Sequence, residues 1–168
     1  MLILGIDPGY AIVGYGVVSY NGNRFSPIEY GAITTRSKTL FTTRLEQIFN
    51  GVTEIISKYN IDALSIEKLY FNTNTTTAID VAQARGVILL AAQLKGVKVF
   101  EYTPLQVKQS VTGYGRAEKK QVMEMVRQVL CLKSVPKPDD TADALALAIC
   151  QGHYSASSYG RISLEGQI

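Results

Sequence analysis

Apolar residues open the chain in an unbroken run, Leu2 to Ile6, within a segment Met1 to Pro8 that reads as a buried strand. Ala11 to Tyr20 reads as a second strand with Gly14 and Gly16 inside it, and Asn21, Gly22 and Asn23 supply the turn of a hairpin. Phe25 to Thr35 alternates apolar and polar positions, so a third antiparallel strand precedes any helix. From Leu40 to Tyr59 the residues Phe41, Leu45, Ile48, Phe49, Val52, Ile55, Ile56 and Tyr59 recur at spacings of three and four, the stripe of an amphipathic helix lying on a sheet.

Asp62 to Tyr70 predicts a fourth strand, whose apolar members Ala63, Leu64 and Ile66 bring Glu67 to its end. The polar run Asn72 to Thr77 reads as a loop capping the next helix, Ala78 to Lys95. That helix is apolar nearly all round, which predicts cover on two sides, and one candidate cover is a second copy of the chain. Val97 to Tyr102 predicts a fifth strand, and Leu105 to Val111, Glu118 to Leu130 and Asp139 to Tyr154 predict three helices. The fold class is therefore α/β, a five-stranded mixed sheet flanked by helices, and the order of elements matches an RNase H-like layout. A layout of that kind hosts unrelated chemistries, so function has to be argued from a site.

Length and composition fit one domain, expected over residues 1–155, with a flexible Ser/Gly-containing tail over 156–168. No apolar stretch is expected to span a bilayer, and Met1 to Pro8 lacks the basic start and cleavage site of a signal peptide. Cys131 and Cys150 show no zinc-ligand spacing, and a reducing, cytoplasmic setting is expected. The net charge of +3 is unevenly spread: Pro104 to Lys137 holds seven basic and two acidic residues, leaving ten basic and twelve acidic elsewhere. A polyanion suits that basic stretch.

Hydrolysis of a phosphodiester needs an activated water and neutralised charge on the attacking and leaving oxygens, which two divalent ions about 4 Å apart provide. Magnesium selects oxygen ligands, so a cluster of Asp and Glu is the expected signature. Asp7 ends the first strand before Pro8 and Gly9, Glu67 ends the fourth, and Asp140 and Asp143 share one face at the start of a helix. Each has a plainer reading. Asp7 suits a turn, and Asp139, Asp140 and Thr141 suit helix caps. Asp143 resists this, because it sits among Ala142, Ala144, Leu145, Ala146 and Leu147, where a carboxylate is costly unless paired or bound to a metal. Lys108, Arg116, Lys119, Lys120 and Arg127 flank Gly113 and Gly115, and the helix beginning near Glu118 offers backbone N–H groups, which favours phosphate contact over a merely solvated surface. Tyr70 and Phe71 follow Glu67 and suit either stacking on DNA bases or half-buried packing. His153, the only histidine, reads as structural or solvated.

The segments GIDPGYAIVGYG (5–16), SIEKLYFNTN (65–74), ARGV (84–87), YTPLQVKQSVTGYGRAEKKQV (102–122) and DDTADALALAIC (139–150) resemble, in order, those of the RuvC family of bacterial Holliday-junction resolvases. The resemblance implies metal ligands at Asp7, Glu67, Asp140 and Asp143, basic residues near the scissile phosphate at Lys108 and Lys119, and an aromatic acting on junction bases at Tyr70 or, one residue on, Phe71. It implies a homodimer that nicks two strands of like polarity in a four-way DNA junction with Mg2+, or Mn2+ in its place, and that works with the RuvA and RuvB branch-migration proteins. Three rivals stand beside it: an actin-like ATP-binding domain, which 168 residues are too few to complete, a junction-binding module without chemistry, and a nuclease acting on RNA or RNA/DNA hybrids.

Overall fold

A computed structural model describes residues 1–69 and 75–156. Five strands, β1 (Leu2–Asp7), β2 (Ile12–Tyr20), β3 (Phe25–Thr34), β4 (Ala63–Glu67) and β5 (Lys98–Tyr102), form one sheet in the order β3-β2-β1-β4-β5. The first three pair antiparallel, while β4 runs parallel to both β1 and β5. Five helices complete the chain: α1 (Phe41–Tyr59), α2 (Thr75–Leu94), α3 (Pro104–Thr112), α4 (Lys119–Val129) and α5 (Asp139–Ala156). This is the mixed sheet of the RNase H-like fold that the element order predicts.

The pleat decides which helices meet which strand residues. Leu4 and Ile6 of β1, Val13 and Val17 of β2, and Leu64 and Ile66 of β4 pack with Ile48, Val52 and Ile88 of α1 and α2. The alternate positions, Ile3, Gly5 and Asp7 on β1 and Ser65 and Glu67 on β4, therefore point to the opposite face, which α5 covers. There Ile3 and Val18 join Leu145, Ala148 and Ile149 of α5 and Val122 and Val126 of α4 in a second core. Helix α5 lies directly on the sheet because glycines make room for it. A Cβ on Gly5 would stand 2.0 Å from the carbonyl oxygen of Ala144, and one on Gly14 2.0 Å from that of Asp140. Buried Ser65 Oγ donates to the Leu147 carbonyl at 2.8 Å, and Thr141 Oγ1 donates to Gly31 O at 3.0 Å, fixing the helix against rotation and sliding.

Several boundaries differ from the expected ones. Strand β4 ends at Glu67, and α3 starts at Pro104, where Thr103 Oγ1 accepts from Gln106 N at 3.1 Å and Gln106 Oε1 accepts from Thr103 N at 2.8 Å. Helix α5 runs one residue into the segment expected to be a flexible tail, and 157–168 lie outside the described residues. Helix α2 corrects one expectation: Thr77–Leu94 is long and apolar enough, by length and composition alone, to cross a membrane. Its apolar residues divide between a face packed on α1, with Ala84, Ile88, Ala91 and Ala92 buried, and an outward face with Ile79, Leu90 and Leu94 exposed. Arg85, in the middle of that window, pairs with Glu101 of β5.

Candidate active site

Parallel pairing sets two carboxylates side by side. Ile6 of β1 pairs with Ile66 of β4, so Asp7 and Glu67 are the next residues on adjacent strands, at the same end and on the α5 face. Asp7 is also opposite Gly14 of β2, the residue over which the backbone of Asp140 rests. The first turn of α5 thus brings Asp140 over Asp7, and Asp143, three residues on, follows on the same side of the helix.

The electrostatics report this convergence. Burial, and after it the negative charges of Asp143, Glu67 and Asp140, push the Asp7 carboxyl up to about 8, with Lys119 opposing. Glu67 is raised as well, first by burial and then by Asp143, again against Lys119. Lys119, the first residue of α4, donates to Asp143 Oδ2 at 3.0 Å and lies 3.7 Å from Asp139 Oδ2. Its hydrogen bond with Asp143 holds its own proton more tightly than usual. A cleft of about 250 Å³ opens beside the acids, with Glu67, Asp143, Lys108 and Lys119 on its walls and Pro104, Val107, Val122 and Leu147 beneath.

The donor set suits a hard divalent cation: four carboxylates and no sulfur or imidazole, with burial first and then the neighbouring acids raising the Asp7 carboxyl to about 8. They do not stand as a finished cage. Among the described residues no three acids are close enough together to hold one ion, and the Asp143 carboxylate is turned to Lys119. Chemically, the arrangement can concentrate cations beside a phosphate held by two lysines.

Six residues singled out in the sequence, Asp7, Glu67, Asp140, Asp143, Lys108 and Lys119, come together here. Lys120 does not, lining a neighbouring groove instead, and Arg116 is exposed on the loop before α4. Arg127 is committed elsewhere, with Nη2 on Glu124 Oε1 at 2.6 Å and Nη1 on the Leu132 carbonyl at 3.3 Å. The N-cap of α4 is itself the acid Glu118, which weakens the reading of that helix end as a bare phosphate seat. His153 Nδ1 lies 3.1 Å from Ser110 Oγ, with its ring edge-on to Phe25. Tyr70 and Phe71 lie outside the described residues.

Sequence reasoning missed Arg85, whose Nε donates to the Glu67 carbonyl at 3.4 Å while its guanidinium pairs with Glu101, bracing the ends of β4 and β5. Its position in an otherwise apolar helix was the available signal. Gly5 and Gly14 were also passed over as contacts for a helix, although glycine inside a strand often marks close backbone approach.

Known proteins share this sequence pattern and this fold. The family model described as crossover junction endodeoxyribonuclease RuvC matches residues 3–151. A relative of that name from Alkaliphilus metalliredigens is 59% identical over 153 residues, covering 91% of this chain and 93% of its own length. The RuvC structure of Thermus thermophilus superposes with a TM-score of 0.86 at 35% identity, over 92% of this chain and 95% of that one. The T. thermophilus RuvC in complex with a Holliday junction substrate gives 0.87 at 32% identity, over 95% and 98%.

Proposed function

The chain belongs to the RuvC family of crossover junction endodeoxyribonucleases, and from that premise we propose that Asp7, Glu67, Asp140 and Asp143 form the site at which it nicks four-way junction DNA. The observation that carries this reading is the convergence at Asp7, whose proton affinity is raised by all three other acids at once. Acids that raise the proton affinity of a buried carboxyl, two of them on the wall of a cleft, are costly in a folded protein unless positive charge is brought to them.

Bound there, a pair of divalent ions, Mg2+ by preference and Mn2+ in its place, supplies Lewis acidity that activates water near neutral pH and shields the charge of a cleaved phosphodiester. Asp7, Glu67 and Asp143 would hold the ions, and Asp140 would orient a ligand or the attacking water. Lys119 donates to Asp143 at 3.0 Å, so a cation held by Asp143 would leave the Lys119 ammonium available to the phosphate. Lys119 and Lys108, on the wall of the same cleft, then meet the charge that builds on the phosphate oxygens. The products of such a cut are a 5′-phosphate and a 3′-hydroxyl, the ends a ligase joins.

One chain carries one such site. Two symmetric nicks in strands of like polarity require two, and a C2 dimer presents them to a two-fold junction. The outward face of α2, with Ile79, Leu90 and Leu94 exposed, is the surface for that pairing. Residues 1–155 act as a single nuclease domain in the cytoplasm, alongside the RuvA and RuvB proteins that move the branch point. The test is cleavage of a mobile four-way junction set against linear duplex and RNA/DNA hybrid. Paired nicks in the junction with magnesium, lost in EDTA, are expected; preferential cutting of the hybrid, or cutting in EDTA, contradicts the reading.

A further inference from the structure

Beyond the cleft, the loop joining α3 to α4 displays an aromatic ring that the chemistry above leaves unused. Tyr114 is 58% exposed, yet its backbone is firmly held. Its N–H donates to Thr112 Oγ1 at 3.1 Å, and its carbonyl accepts from Thr112 Oγ1 at 3.0 Å and from Ala117 N at 3.1 Å. Gly113, left-handed at φ 76°, ends α3, and its carbonyl is bound by Gln109 Nε2 at 2.9 Å. A large exposed ring on a loop pinned at this many points is presented rather than merely uncovered. Leu105, 63% exposed, packs against the same loop at Gly115.

The surroundings of the ring are cationic. Consecutive lysines at the start of α4 divide between two sites: Lys119 turns to Asp143, while Lys120 joins Tyr114, Ala117 and Met125 around an open groove of about 450 Å³. Arg116 is exposed on the loop between them. The acid on that groove, Glu124, is matched by Arg127 at 2.6 Å. The groove is therefore a largely apolar surface with Lys120 on its lining and Arg116 exposed on the adjoining loop. A polyanion with flat apolar faces fits it, and a strand of DNA is that chemistry.

We propose that the groove is a second DNA contact, in which the Tyr114 ring stacks on a base that has left its duplex stack near the branch point while Lys120 and Arg116 hold the flanking phosphates. Bases inside an intact duplex hide their faces, so this contact favours DNA whose stacking is interrupted over linear duplex. The inference rests on the junction-cleaving reading and deepens it.

The experiment measures junction binding in EDTA by fluorescence anisotropy over a range of salt, with a second junction carrying 2-aminopurine beside the branch point. Tyr114→Ala is expected to lower junction affinity about ten-fold, with an unchanged slope of log affinity against log salt, and to abolish a 2-aminopurine intensity change that wild type and Tyr114→Phe both produce. Lys120→Gln is expected to make the salt slope shallower by about one. Thermal melting checks that each variant is folded. Wild-type affinity in Tyr114→Ala, or an equal loss in Tyr114→Phe, overturns the proposal and leaves the junction-cleaving reading standing; failure of wild type to prefer a junction over duplex removes both.

Discussion

Asp7 is where sequence, fold and chemistry meet in one side chain. Its carboxyl, ordinarily near 3.8, is held at about 8 by burial and three neighbouring acids. The folded protein therefore keeps a proton that the unfolded chain gives up. Stability from this group is fully present below about pH 4 and is lost as the pH rises through about 8. In EDTA, Asp7→Asn is expected to flatten that loss, measured as Tm against pH, and to raise Tm at pH 8. Magnesium must displace the proton, so its stabilising effect on the wild type should grow as the pH climbs towards 8. Lys119→Ala is expected to slow junction cleavage about 100-fold, as loss of one preorganised charge does, while leaving a folded protein that binds the junction. Of the four acids proposed as the site, only Asp143 stood out singly in the sequence, as a carboxylate amid alanines; Asp7, Glu67 and Asp140 each had a plainer turn, strand-end or capping reading, and it was their combination that drew attention. The Lys119–Asp143 contact was not legible, because α4 and α5 meet only through tertiary packing. Arg127 is held locally, since Glu124 lies three residues before it on the same helix face.

Among the elements, α5 depends most on what its neighbours lack. It rests on β1 and β2 through Gly5 and Gly14, where a Cβ would meet backbone oxygen at 2.0 Å. Gly5→Ala is therefore expected to destabilise the fold by about 1–3 kcal/mol in urea denaturation, and to impair cleavage by lifting Asp140 and Asp143 off Asp7. An unchanged midpoint with full activity would refute this account of how the site is assembled. The unbroken apolar run of β1 and the three-and-four spacing of α1 were legible from hydrophobic pattern alone. The end of β4 and the start of α3 were less so, because strand pairing and the Thr103–Gln106 capping box fix them rather than any change in hydropathy. The order β3-β2-β1-β4-β5 was not readable at all from element succession, which permits several arrangements of a mixed sheet.

At the scale of the whole molecule, α2 links the surface proposed for pairing to the site. Its outward face exposes Leu90 and Leu94, while Arg85 reaches in to the Glu67 carbonyl. Leu90→Lys is expected to shift the protein towards monomer in sedimentation, and to turn paired junction nicks into single, uncoordinated ones. A variant that remains dimeric and still nicks in pairs would move the interface off this face. The apolar character of α2 was plain in the sequence, but which residues face α1 and which face outward emerged only with the fold. Asp7→Asn on a mobile four-way junction with magnesium is the decisive test that the converged acids are the cutting centre of a junction nuclease. The variant is expected to bind the junction as wild type does and to make no nicks; undiminished cutting would take the cutting centre away from these acids.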